Sequence, residues 1–236
     1  MVGLVAILWG CAPASGDATR TAAANAKSTN ADSAPDSAAV PDQPENTSVR
    51  PRVVLLGTSL TAGLGLDPSA AYPAVLERLA DSAKLAVDIV NAGLSGETSA
   101  GALRRASWVL EQPADLVVLE VGANDGLRGV DPDSTYANLV ALIDTVRRVR
   151  PTARIALVQM EAPPNLGARF TRRFHDSYVR AARETGVPLW PFLLEGVAGD
   201  ARYNQADGIH PNREGAERVA RTLWRSLAPA ISSPVH

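Results

Sequence analysis

The chain has 236 residues, a formal net charge of -2, 46% hydrophobic and 20% charged residues. That composition suits a soluble globular domain with a real core, and the near-neutral balance excludes the basic stripe of a nucleic-acid binder. A single cysteine, Cys11, excludes an intrachain disulfide, and no apolar run reaches the roughly 18 to 20 residues of a spanning helix.

The first ten residues, MVGLVAILWG, are apolar and resemble the end of a signal-peptide apolar region. Leu8-Trp9-Gly10-Cys11 then resembles a lipobox, in which the cysteine is acylated and becomes the new N-terminus. Residues 1–11 are therefore expected to export the chain and anchor it in the cell envelope through Cys11. A plain secretion signal beside an incidental Cys11 is the alternative. The apolar run is short and no basic region precedes it, as expected if the true start lies upstream of Met1. Residues 12–50 are Ala, Ser, Thr, Asn, Asp and Pro with almost no large apolar side chain. Such a segment cannot bury enough surface to offset its ordering entropy, so it is expected to be a disordered linker. The folded domain is expected over residues 51–230.

Five apolar runs follow: Val53–Gly57, Asp88–Gly93, Asp115–Gly122, Ala153–Met160 and, more weakly, Val187–Phe192. Short runs rich in Val, Ile and Leu, apolar on both faces, read as buried parallel strands. Helical periodicity lies between them. One helix starts near Ala71, and a second covers Ser99–Gln112. A third carries Leu139, Leu142, Ile143 and Val146 behind Ser134 as its cap. A fourth ends at Gly186, and the last follows Pro211. The alternation predicts an α/β fold: a three-layer α/β/α sandwich around a central, mainly parallel five-stranded sheet. In such sheets ligands bind beyond the carboxyl ends of the strands.

Four blocks stand at such places: Gly57-Thr58-Ser59-Leu60, Gly93-Leu94-Ser95-Gly96-Glu97-Thr98, Gly122-Ala123-Asn124-Asp125-Gly126 and Asp207-Gly208-Ile209-His210-Pro211. A serine hydroxyl needs a base to become a useful nucleophile, and histidine titrates near neutrality. A carboxylate must hold the imidazole tautomer. Asp207 lies three residues before His210 in one loop, a spacing that lets it reach Nδ1 and leaves Nε2 for Ser59. The oxyanion of a tetrahedral intermediate needs donors. The Ser59 N–H, a loop glycine N–H and an asparagine amide are of that kind.

These blocks resemble the SGNH hydrolases, the GDSL esterases and lipases, whose signature residues are Ser, Gly, Asn and His, one per block. The resemblance covers about residues 52–228 and is nearest the bacterial thioesterase I, lysophospholipase L1 and arylesterase branch. It implies Ser59, His210 and Asp207 as the catalytic residues. It also implies an oxyanion hole of Ser59, Gly96 (rather than Gly93) and Asn124. The expected activity is hydrolysis of small-molecule or lipid esters or thioesters, by a monomer without cofactor. One position departs from the family: GDSL reads GTSL here, with Thr58 in place of Asp. Thr58 can hydrogen-bond but brings no negative charge to the serine turn.

Each block alone has a plainer reading, as a helix cap, a turn glycine or a loop histidine; their joint, ordered occurrence decides against it. His175 reads as a surface residue and His236 as the chain end. Three scattered histidines and one cysteine give no metal-ligand cluster. Leu127, Pro163, Pro164 and Leu166, in the loops after strands three and four, are candidates to line an acyl groove. A carbohydrate O-acetyl esterase of the envelope, and a binding protein on the same fold that has lost catalysis, are the alternative functions.

Overall fold

A computed structural model describes residues 50–232. The export segment with Cys11, nearly all of the linker, and His236 lie outside the described residues. Five strands form one sheet: β1 (Arg52–Gly57), β2 (Asp88–Gly93), β3 (Leu116–Glu120), β4 (Arg154–Val158) and β5 (Leu189–Trp190). Their order is β2-β1-β3-β4-β5, and every pair is parallel. The central strands β1 and β3 are buried almost throughout, whereas the edge strand β2 is partly exposed. This is why β1 and β3 are continuous runs of Val and Leu.

Seven α-helices are described: α1 (Ser59–Ala62), α2 (Tyr72–Ser82), α3 (Ser99–Val109), α4 (Ala123–Arg128), α5 (Pro132–Val149), α6 (Ala168–Thr185) and α7 (Arg213–Ser232). Helices α3, α5 and α6 pack side by side in one layer, and α2 packs with α7 in the other. Leu55, Leu56, Leu119, Leu142, Ile143 and Leu157 are among the fully buried side chains of the core.

Several boundaries differ from the sequence reading by one to three residues, and two differ for reasons the residues show. Strand β5 shrinks to Leu189–Trp190 because Pro188 and Pro191 flank it and have no N–H for a ladder. Helix α5 is capped by Asp131, whose side chain accepts from the Asp133 N–H, with Pro132 opening the helix. Ser134 therefore lies inside the first turn. An Asp at the cap followed by Pro is a stronger start signal than the serine beyond it. The expected cap Gly186 does end α6, at φ 70°, and Pro211 stands just before α7, where Asn212 Oδ1 accepts from the Gly215 N–H.

The exit from β3 is held from the α6 side. The Tyr178 ring is fully buried, 5.4 Å from Phe174, and its hydroxyl donates to the Val121 carbonyl at 2.8 Å. Tyr178→Phe leaves that buried carbonyl without its partner, and is expected to lower the unfolding free energy by about 1–3 kcal/mol in urea titration.

Candidate active site

The first strand stops at Gly57, and Thr58 turns the backbone (φ -105°, ψ -150°) into the single-turn helix α1, which opens with Ser59. Thr58 occupies the cap position of α1 without capping it. Its hydroxyl donates instead to the Glu120 carboxylate, at 3.1 Å to Oε1 and 3.3 Å to Oε2, and its N–H donates to Oε2 at 3.0 Å. Thr61 Oγ1 donates to Glu120 Oε2 at 2.7 Å and lies 2.7 Å from the Tyr72 hydroxyl. A Cβ at residue 57 would lie 1.9 Å from Thr61 Oγ1 and 2.6 Å from Glu120 Oε2, so only glycine lets this carboxylate reach the turn. Glu120 is fully buried. Burial pushes its carboxyl above the ordinary range, against the pull of the threonine donors. Burial, and next the charge of Glu120, also raise the Tyr72 hydroxyl well above its usual value.

The histidine loop closes on this turn from the other end of the chain. His210 Nε2 is 2.9 Å from Ser59 Oγ, and His210 Nδ1 is 2.6 Å from Asp207 Oδ2. The second Asp207 oxygen accepts from the N–H groups of Ile209 and His210, at 2.9 and 3.0 Å. The His210 side chain, first, and then these backbone donors hold the Asp207 carboxyl down at about 2. Gln205 ties the loop to the exit of α1: its amide donates to the carbonyls of Leu64 and Pro211 at 2.7 and 2.9 Å.

The loop after β2 carries Gly96 in the left-handed region, at φ +78°, a conformation that glycine adopts without strain. Glu97 beside it makes a mostly buried two-oxygen pair with Arg105 Nε, at 2.8 and 3.0 Å. Arg105 Nη2 reaches the carbonyls of Gly57 and Ala92, at 3.1 and 2.9 Å, and so joins this loop to the end of β1. The Asn124 amide donates to the Glu97 carbonyl at 3.0 Å. Its neighbour Asp125 is fully buried and accepts from the Ser99 N–H at 2.8 Å and from the Ser99 hydroxyl, which fastens α4 to the start of α3. Among the described residues, no partner is found for the N–H groups of Ser59 and Gly96.

The structure thus brings Ser59, His210 and Asp207 into one hydrogen-bonded line and joins the loops of Gly96 and Asn124. The apolar candidates are placed differently. Leu127 is exposed on α4, while Pro163 precedes and Pro164 and Leu166 form a short 3-10 turn. The small cleft beside Ser59 and His210, about 10 Å³, is lined instead by Leu60, Leu64, Leu66 and Tyr72. Sequence reasoning missed these leucines, and it missed Glu120, Arg105 and Gln205. An acid at the end of the apolar run DLVVLE was the available signal for Glu120. A larger groove of about 530 Å³, lined by Glu195, Glu217, Arg218 and Arg221 among others, shares no residue with this site. His175 is on the surface of α6, paired with Glu161 at 2.7 Å.

Comparison with known proteins agrees with the fold and identifies the family. The model of the GDSL-like Lipase/Acylhydrolase family matches residues 55–218. The chain is 40% identical over 182 residues to Esterase TesA of Pseudomonas aeruginosa, covering 76% of this chain and 89% of that one. It is 36% identical over 181 residues to Thioesterase 1/protease 1/lysophospholipase L1 of Escherichia coli K12, covering 76% and 85%. The crystal structure of the psychrotrophic esterase EstA from Pseudoalteromonas sp., inhibited by monoethylphosphonate, superposes with a TM-score of 0.73 at 32% identity, covering 77% of this chain and 99% of that one.

The Asp207 value has a consequence for pH. A carboxyl held below its unfolded value contributes stability above about pH 4 and loses it as pH falls through the folded value of about 2. His210→Ala removes the largest cause of the shift. The Asp207 titration midpoint, followed by carboxyl 13C NMR, is expected to rise from about 2 toward the ordinary carboxylate value; a midpoint that stays where it was contradicts the pairing.

Proposed function

The chain belongs to the GDSL-like Lipase/Acylhydrolase family and is an SGNH-type ester hydrolase, and from that premise we propose that Ser59, His210 and Asp207 are its catalytic triad, cleaving carboxylic esters or thioesters through an acyl-enzyme. The observation that carries this reading is the unbroken line Asp207 Oδ2, His210 Nδ1, His210 Nε2, Ser59 Oγ, with contacts of 2.6 and 2.9 Å.

In this mechanism Ser59 Oγ attacks the acyl carbonyl carbon and its proton passes to His210 Nε2. Asp207 holds Nδ1 and stabilises the imidazolium; at about 2, its carboxyl stays ionised throughout the working range. The oxyanion takes hydrogen bonds from the Ser59 and Gly96 N–H groups and from the Asn124 amide. Asn124 gives one amide hydrogen to the Glu97 carbonyl, which orients the other. Collapse expels the alcohol or thiol, protonated by His210. Water, deprotonated by the same ring, then releases the acid and restores Ser59.

The substrate side is apolar. Leu60, Leu64 and Leu66 line the cleft, and among the described residues four of the six exposed large hydrophobic side chains belong to the segments that carry the site: Leu64, Leu94, Leu127 and Ile209. This supports an acyl group rather than a charged substrate, with Leu127, Pro163, Pro164 and Leu166 proposed as a further wall of the groove. The second substrate reading is an O-acetyl esterase acting on envelope carbohydrate. The intact serine-histidine contact weighs against a binding protein without catalysis. We further propose that residues 1–11 export the chain, with Cys11 as lipid anchor and residues 12–50 as tether to a monomeric domain over 51–230.

Ser59→Ala is expected to lower kcat/KM on p-nitrophenyl butyrate by about 10³-fold or more with an unchanged circular dichroism spectrum; activity near that of the wild type overturns the triad. A series from acetyl to dodecanoyl esters, set beside an acetylated glycan, separates the two substrate readings: a glycan preferred over every aryl ester selects the second.

A further inference from the structure

Glu120 ends β3 directly beside Gly57, its partner in the parallel ladder. It is fully buried, and among the described residues no cation pairs with it. An isolated buried carboxylate costs several kcal/mol unless donors replace its lost water. Among the described residues, every hydrogen bond to its carboxylate comes from one short segment, the turn that carries Ser59. The donors are the Thr58 N–H, the Thr58 hydroxyl and the Thr61 hydroxyl. Since Thr61 gives its proton to Glu120, its oxygen accepts from the Tyr72 hydroxyl. The donors therefore form a directed set, all converging on one acceptor.

This arrangement answers the departure from GDSL. The serine turn lacks a carboxylate of its own at residue 58, and the neighbouring strand supplies one. Ser59 stands between Thr58 and Thr61, the two residues that Glu120 holds. A carboxylate that grips both sides of the nucleophile sets where Ser59 Oγ lies relative to His210 Nε2, and a shift of about 1 Å there is enough to cost roughly 100-fold in rate.

We propose that Glu120 is the positioning residue of the nucleophile, acting through Thr58 and Thr61 to hold Ser59 in line with His210. The inference rests on the reading of Ser59 as nucleophile. Glu120 touches no substrate and no reacting atom. A glutamine of the same shape removes the charge and leaves one acceptor oxygen where the carboxylate has two, so the three donors must share it. Thr58→Val keeps the shape and removes only the hydroxyl contact, whereas Thr58→Ser retains that contact.

The test measures kcat and KM on p-nitrophenyl butyrate for the full chain and for Glu120→Gln, Thr58→Val and Thr58→Ser. Rates are expressed per active site, counted by end-point labelling with a fluorophosphonate. Per site, kcat is expected to fall about 100-fold in Glu120→Gln and about 10-fold in Thr58→Val, with KM changed by less than about twofold. Thr58→Ser is expected to remain within about twofold of the wild type. A merely structural role would reduce the number of folded sites and leave the rate per site intact, so per-site kcat within about twofold of the wild type in Thr58→Val overturns the proposal even where Glu120→Gln does not fold. Failure of the serine reading itself looks different: Ser59→Ala would then keep the wild-type activity.

Discussion

A parallel sheet in the order β2-β1-β3-β4-β5 reverses its winding between β1 and β3, and the rest of the site depends on that reversal. The chain leaves β1 toward the α2 and α7 layer and leaves β3 toward the layer of α3, α5 and α6. The two exits diverge, and a crevice opens at the carboxyl ends of the strands. Ser59 follows β1 on one side and Asn124 follows β3 on the other, while the loops of Gly96 and His210 close the remaining sides. No single segment of chain carries the proposed chemistry; a strand order brings its residues together.

Divergent exits also need to be held. Three carboxylates near the strand ends do this: Glu120 at the end of β3, Glu97 in the loop after β2, and Asp125 in α4. Glu120 takes its donors from the serine turn. Glu97 pairs with Arg105, which reaches back to Gly57 and Ala92. Asp125 binds the start of α3 through Ser99. Among the described residues, only Glu97 of the three has a cation as partner. The other two rely on neutral hydroxyl and amide donors, which must be correctly placed if a buried charge is to be tolerated. Such sites are rigid because a displaced donor leaves the charge uncompensated. The geometry between Ser59 and His210 inherits that rigidity.

Much of this was legible in the sequence, for identifiable reasons. Buried parallel strands are apolar on both faces, so β1 to β4 stand out as runs of Val, Ile and Leu. The four candidate blocks stand at strand ends and resemble a known family. Asp207 and His210 are close enough in the chain for their pairing to be read from spacing. Other features depend on partners that spacing does not reveal. Gln205 meets Leu64 across 141 positions and Arg105 meets Gly57 across 48. Glu120 was read as part of an apolar strand, while Thr58 was judged to leave its turn without a carboxylate; the carboxylate comes from 62 positions away. The groove candidates Leu127, Pro163, Pro164 and Leu166 were chosen from loops after β3 and β4. The cleft beside Ser59 opens instead against α1 and α7, a choice made by packing.

The central claim is that Ser59 is the activated nucleophile, and site mapping of a covalent inhibitor tests it most directly. The protein is treated with a fluorophosphonate, digested, and its peptides are read by mass spectrometry. The account predicts a single adduct, on the peptide that contains Ser59, and its loss in His210→Ala. An adduct on Ser95 or Ser99, or an active protein that takes up no label, would contradict it.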